Sequence, residues 1–395
     1  MSGERGIAGL VFGLGIAQIV SWGSLYYSIS VLGVPMRAEI GVSEVFLFGA
    51  FTAGLLVSGA LSPMVGRLID RKGGRAVLSA GSMVGAAAMA TLAAATTPAM
   101  VVVGWLLAGA SMAATLYDPA FATLSQHAGE RYRRAVTLLT LLGGLASTVF
   151  WPLALLLHDA WGWRTAFAVF AALHLALCLP IHGIVVPRAA PAALGARGRA
   201  RPEDRSPGFA SPRLPWLTLS FALVSFVVGV IAVRMVELLT GVGLTPAQAV
   251  AASTLMGPMQ VVGRILEMSF LARTRATTVG IASMVLLIAS IASLGLAAGS
   301  AALAIAFVVL YGCGNGIFTI VRGAAPAELF GPRGLGELLG HLARMPLFAR
   351  ALAPGAFSLV AASGLGQPAA MGVLAALLAL GMACFTLAAR PSHKA

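Results

Sequence analysis

Two charge-free apolar runs, 45–65 and 76–95, stand on either side of one basic stretch, and this arrangement limits the fold more than any other feature. Each run is ~20 residues, the length that crosses the hydrocarbon core of a bilayer as a helix. Between them lies Gly66-Arg67-Leu68-Ile69-Asp70-Arg71-Lys72-Gly73-Gly74-Arg75. A segment so charged cannot rest in hydrocarbon, so it belongs at a membrane surface between two spanning helices. Gly73 and Gly74 predict a sharp turn, and Gly66 predicts close approach of two helices. Asp70 is the sole acid of the stretch. It is expected to pair with Arg71 or Arg75, or to cap a helix N-terminus within the N-terminal half.

The rest of the chain agrees. It is 59% hydrophobic and 10% charged, where a soluble domain carries about 25% charged residues. The net charge of +13 would suggest nucleic acid in a soluble protein. In a membrane protein it follows from basic cytoplasmic loops, so no nucleic-acid partner is expected. Cys178, Cys313 and Cys384 lie in three different apolar runs, which predicts neither a disulfide framework nor a thiolate metal site. No cofactor and no metal are expected. No cleavable signal peptide is expected either, because the first apolar run is long and leads into another span.

Dividing the chain by hydropathy predicts twelve spans. Six lie near 7–33, 45–66, 76–97, 99–121, 135–157 and 164–186, and six near 214–240, 247–269, 277–298, 300–322, 346–367 and 368–389. The stretch 187–213, rich in Pro, Ala, Gly and Arg, reads as a flexible linker. The expected organisation is therefore an N-terminal six-helix bundle (1–186), a cytoplasmic linker (187–213) and a C-terminal six-helix bundle (214–395). With the N-terminus inside, the outer loops hold only Arg37 and Arg164, and the other loop arginines and lysines face the cytoplasm. That bias predicts both termini inside a cytoplasmic (inner) membrane.

The two halves repeat each other. Ser111, Thr115 and Asp118 in the fourth span match Asn315, Thr319 and Arg322 in the tenth at the same i, i+4, i+7 spacing, one face of a helix. Gly263-Arg264-Ile265-Leu266-Glu267 is a fainter echo of Gly66-Arg67-Leu68-Ile69-Asp70.

The loop after the second span resembles the signature of the major facilitator superfamily, Gly-x-Leu-Ala-Asp-Arg-x-Gly-Arg-Lys/Arg. Gly66, Leu68, Asp70, Arg71, Gly73 and Arg75 match it, while Ile69 and Gly74 depart. The resemblance implies an all-α membrane protein with twelve transmembrane helices in two pseudo-symmetric six-helix bundles. It also implies a secondary transporter with its site at the repeat interface.

Charges inside spans are costly and need a reason. Arg234 and Glu237 are spaced for a local pair or an outer gate, and Arg264 and Glu267 for a cytoplasmic latch. Asp118 and Arg322 are candidates for gating, with Arg322 also a candidate for an anionic substrate. Gly66, Asp70, Arg71 and Arg75 are read as a clamp that holds one conformational state, with Arg71 expected against a neighbouring helix end. Gln18, Trp22 and Tyr26 fall at i, i+4, i+8 and offer a cavity face, since Trp and Tyr join apolar area to a polar tip. Gln260 and Asn315, amides inside spans, must find partners, and substrate is one option. His174 and His182 are too far apart along one helix for a local metal pair.

No phosphate-cradling Gly-x4-Gly-Lys-Ser/Thr is present, so ATP-driven transport is unsupported and no enzymatic activity is expected. The arginines within spans outnumber the acids, which points to a small organic anion moved by alternating access, with a proton or other ion as coupling partner. Drug or metalloid efflux is the alternative within transport, and a non-transporting sensor or scaffold the alternative outside it. The protein is expected to act as a monomer.

Overall fold

The computed structural model describes residues 4–188, 206–362 and 366–390. Ten helical stretches among the described residues are long and apolar enough to cross a membrane. One of them, Gly129–Val185, has 57 residues, roughly twice what a bilayer needs. It breaks at Gly162, whose φ of 81° and ψ of 164° lie outside the helix. The ring centroids of Phe150 and Phe170, on opposite sides of the break, lie 5.2 Å apart, so the chain folds back there. The 28-residue helix Leu335–Ala362 completes a set of twelve.

We number them α1 (Gly6–Ile40), α2 (Glu44–Lys72), α3 (Gly74–Ala93), α4 (Pro98–Ser125), α5 (129–161), α6 (163–185), α7 (Arg213–Gly241), α8 (Pro246–Leu271), α9 (Ala276–Gly295), α10 (Ala301–Phe330), α11 (Leu335–Ala362) and α12 (Gln367–Ala389). The helices group into two compact units. Unit 1 is Met1–Ser206 with Gly331–Arg344, and unit 2 is Pro207–Phe330 with Met345–Ala395. Most of the predicted linker, 189–205, lies outside the described residues; Pro207–Ala210 forms a short 3-10 turn.

Helix ends follow local chemistry. Ser43 and Thr97 cap α2 and α4 through their hydroxyls. Thr245 and Gln248 make a reciprocal capping box at the start of α8. Inside unit 1, small residues replace side-chain packing. A side chain at Gly54 would meet Trp105 O at 2.4 Å, and one at Gly109 would meet Gly54 O at 2.0 Å, so α2 and α4 touch backbone to backbone. At one end of unit 1, Glu39 of α1 accepts from the Trp163 indole at 2.6 Å and from Arg164, which also donates to Ala95 O at 2.9 Å.

Three expectations are corrected here. The stretch 66–75 is not one turn: α2 continues through Lys72, because nothing between Arg67 and Lys72 breaks a helix, and the turn is Gly73 alone (φ 81°). The eleventh helix begins at Leu335 rather than near 346; the turn glycines Gly331 and Gly334, both with positive φ, stand just before it. The fourth span is discontinuous. Leu116 adopts an extended conformation (φ −76°, ψ −160°), so α4 is two helices, Pro98–Thr115 and Tyr117–Ser125.

Candidate functional site

In unit 1 the break in α4 and a distortion in α1 face each other. Residues Gly23–Tyr27 of α1 form a π turn, a feature often found where a helix does more than pack. One turn earlier, Gln18 is fully buried and its Nε2 donates to Thr115 O at 2.6 Å, the carbonyl next to the break. A broken helix inside a membrane frees backbone groups that must be satisfied, and Gln18 supplies that partner. Its Oε1 is buried with no partner, and so is Nε1 of Trp22.

Around these two atoms the aromatic rings converge. Trp22 packs on Tyr26 and on Tyr117, with centroids 5.2 Å apart in both pairs. Tyr26 meets Tyr27 at 5.3 Å and Phe51 at 5.5 Å. Tyr117 stacks on Phe121 at 5.5 Å with planes 5° apart. The result is a wall of aromatic faces carrying one open acceptor and one open donor. Gln18, Trp22 and Tyr26 are thus brought together. Tyr117 and Phe51 join them without any helical spacing that could have announced it: Tyr117 enters because α4 breaks just before it.

Asp118 occupies the first turn after the break. It lines a cavity of about 10 Å³ with Ser62, Gly66, Gly336 and Gly340, room for roughly one water. Beside that cavity the Asp70 carboxylate accepts the N–H of Gly336 at 3.0 Å and of Glu337 at 2.7 Å. These are orphan donors at the first turn of α11, where negative charge is favoured. Asp70 therefore does cap a helix, but one from the second half of the sequence. The cause is steric: a side chain at Gly66 would lie 2.0 Å from Gly336 O, and one at Gly340 would lie 2.2 Å from Ser62 O, so only bare backbone admits α11 this closely. Arg67 pairs with Glu337 at 3.8 Å. Arg71 is exposed and, contrary to expectation, touches no helix end through a hydrogen bond or ion pair among the described residues; Arg75 is half-buried. The motif pointed to Arg71, whereas the residue in contact is Arg67.

Unit 2 holds the remaining residues. Arg234 makes a two-oxygen contact with Glu237, 2.7 Å to each, and lies 5.8 Å from the ring centroid of Phe357. The pair is local, as its spacing allowed. Arg264 and Glu267 are both buried, at 2% and 1% exposure, and Arg264 donates to Gln260 Oε1 at 3.4 Å. Helices α8 and α10 approach through Gly263, Gly312 and Gly316; a side chain at Gly316 would meet Gln260 O at 2.4 Å. Asn315, Thr319 and Arg322 share a half-buried stripe of α10, with Thr319 Oγ1 donating to Asn315 O at 2.9 Å. Glu328, which no pattern singled out, caps α9 by accepting from Ala276 N at 2.5 Å, Thr277 Oγ1 at 2.9 Å and Arg275 Nε at 3.2 Å.

The family model described as Major Facilitator Superfamily matches residues 14–340. Among solved structures, the chain is similar to the human organic anion transporter MFSD10 (TETRAN), with a TM-score of 0.75, 17% identity, and 98% of this chain and 100% of that one covered. It is also similar to the transporter FucP in its outward conformation (TM-score 0.76, 14% identity, 99% and 100% covered). A third likeness is to the proton:xylose symporter XylE (TM-score 0.77, 12% identity, 95% and 94% covered). No curated protein matches. The fold is the twelve-helix transporter fold, the protein is a multi-pass membrane transporter and not an enzyme, and the chain belongs to the Major Facilitator Superfamily.

Proposed function

We propose that the protein moves a small organic anion across the cytoplasmic membrane by alternating access, coupled to protons. The observation that carries the anion is the charge balance of unit 2. Its spanning helices hold Arg213, Arg234, Arg264, Arg322 and Arg350 against Glu237, Glu267 and Glu328. Glu237 is taken up by Arg234, and Glu328 by Arg275. Among the described residues, Nε of Arg350 is buried with no partner. Leaving a buried guanidinium N–H without an acceptor is costly, and a carboxylate or similar anion is the natural acceptor. A solved relative by fold is named an organic anion transporter.

A second reading rests on the wall alone. Aromatic faces with an open amide oxygen and an indole N–H also suit a hydroxylated neutral solute, and two fold relatives are named sugar symporters with protons. Proteoliposomes given labelled aromatic monocarboxylates, dicarboxylates, xylose and fucose, with and without a pH gradient, separate the two. The anion reading expects saturable uptake of at least one carboxylate, raised by the gradient and lost in Arg322→Gln and Arg350→Gln. Uptake of a sugar with every carboxylate excluded overturns it.

The Asp70 cap and the Arg67–Glu337 pair serve, on this reading, as a contact that forms in one transport state and breaks in the other. Cytoplasmic termini follow from the distribution of basic residues, and labelling of terminal tags in intact and opened cells tests that placement. A monomer is the proposed working form, checked by light scattering in detergent.

A further inference from the structure

His174 is fully buried in α6, yet one of its ring nitrogens has no partner. Its Nε2 lies 2.8 Å from Ser24 Oγ. Ser24 Oγ also lies 2.7 Å from Val20 O. Among the described residues, Nδ1 is buried with no acceptor or donor against it. Nδ1 and Cε1 both lie 2.9 Å from where a side chain at Gly85 would begin, and Ser111 Oγ lies 2.7 Å from the same point. Gly85 stands a little past the middle of α3, a helix of 20 residues and about 30 Å, which puts the ring near the membrane midplane.

The surroundings mark the place as built rather than incidental. Residues His174–Cys178 form a π turn in α6, and Ser24 belongs to the π turn of α1. Two such irregularities meeting at one side-chain contact is what a working site produces. The same α1 turn carries Tyr26 and Tyr27 of the aromatic wall and directly follows Trp22. Ser24 O also accepts from Ser28 Oγ at 2.5 Å, so the serines thread the whole turn.

We propose that His174 is a proton-binding site wired to the aromatic wall through Ser24. This rests on the proton-coupled reading given above. The proton adds to whichever ring nitrogen carries none, no bond breaks, and the ring passes from neutral to singly positive. Among the described residues, the groups reaching the ring from α1, α3 and α4 are Ser24, Gly85 and Ser111, all uncharged. The titratable groups along its own helix are Cys178 and His182, one and two turns on; α5 presents Phe150 toward this region, and Asp118 lies beyond the break in α4. His182 is the comparison: its Nε2 is buried without a partner too, but among the described residues its Nδ1 meets Ser82 of α3 at 2.7 Å rather than a residue of the α1 turn.

The test reads the proton directly, in full-length protein in lipid nanodiscs with no solute added. Hydrogen–deuterium exchange at the imidazole C2 position, followed by mass spectrometry, should show a titration step at His174. The pH-dependent difference in fluorescence between wild type and Trp22→Phe should disappear in His174→Gln and Ser24→Ala and persist in His182→Gln. A flat exchange profile for His174 overturns the proposal, and so does a fluorescence change that survives His174→Gln. Exchange is measured on the wild type, so a variant that fails to fold leaves the decision intact. A wild type whose transport ignores a pH gradient, with His174 still titrating, overturns proton coupling alone.

Discussion

Asp70 and Gly336 are 266 positions apart in sequence, yet Oδ1 of one accepts the backbone N–H of the other at 3.0 Å. The carboxylate spans two successive amides at the start of α11, so both its charge and its second oxygen matter. Asp70→Asn keeps one acceptor and loses the charge. Charge-assisted hydrogen bonds of this kind contribute ~1.5–3 kcal/mol, and ~1.4 kcal/mol shifts a conformational equilibrium about tenfold. Asp70→Asn is expected to reduce transport about tenfold while insertion and folding stay near wild type. Cysteine accessibility beside Gly336 should rise in parallel. Wild-type transport with unchanged accessibility would leave the stretch as a topology signal only.

Replacing Gly66 with Ala should be worse than Asp70→Asn. The new methyl would start 2.0 Å from Gly336 O, and backbone cannot step aside as a flexible side chain does. Overpacking of this type costs roughly 1–3 kcal/mol or more. The expected result is a lower melting temperature together with lost transport, whereas Asp70→Asn should lose transport with little change in melting.

Gln18 tests the wall. Gln18→Leu removes the partner of Thr115 O at the break in α4 and the open acceptor at once. An unsatisfied buried carbonyl costs about 1–3 kcal/mol, which should appear as a loss of thermal stability. Gln18→Glu retains an acceptor but cannot donate to Thr115 O when ionised, so it should fall with Leu in stability. Equal melting temperatures for both variants and wild type would mean that water takes over the role of the amide.

Glu328 supplies a comparison in unit 2. It satisfies a backbone N–H, a hydroxyl and a guanidinium at the start of α9. Glu328→Ala removes all three and should destabilise by about 0.5–2 kcal/mol, the range of a lost N-terminal cap. Glu328→Gln should recover part of this, since one carboxamide oxygen can still accept. Differential scanning fluorimetry in detergent ranks the three proteins.

Hydropathy made the spans legible because the need to satisfy every backbone group in lipid leaves little but long apolar helices. The i, i+4, i+8 spacing of Gln18, Trp22 and Tyr26 likewise foretold a shared face. What sequence concealed was backbone irregularity. The break at Leu116 did have a signal, Pro119, which has no N–H to give Thr115 O and whose ring crowds that carbonyl, but the reading of the span as one helix passed over it. The π turns at Gly23–Tyr27 and His174–Cys178 have no residue signature, and in sequence His174 stands only as half of a metal pair with His182, too far along the helix to be one. The partner of Asp70 was hidden for another reason: it is a backbone amide, and amides carry no residue identity to search for.

The backbone contact between Gly54 and Gly109 has a genetic consequence. A defect caused by a larger residue at either position cannot be relieved by trimming the other, because each already lacks a side chain and the atoms in conflict are main-chain carbonyls. Selection for revertants of Gly54→Ala or Gly109→Ala should therefore return the original codon, or changes that shift α2 or α4 bodily. It should not return an exchange of size across the contact, the route open wherever two side chains meet.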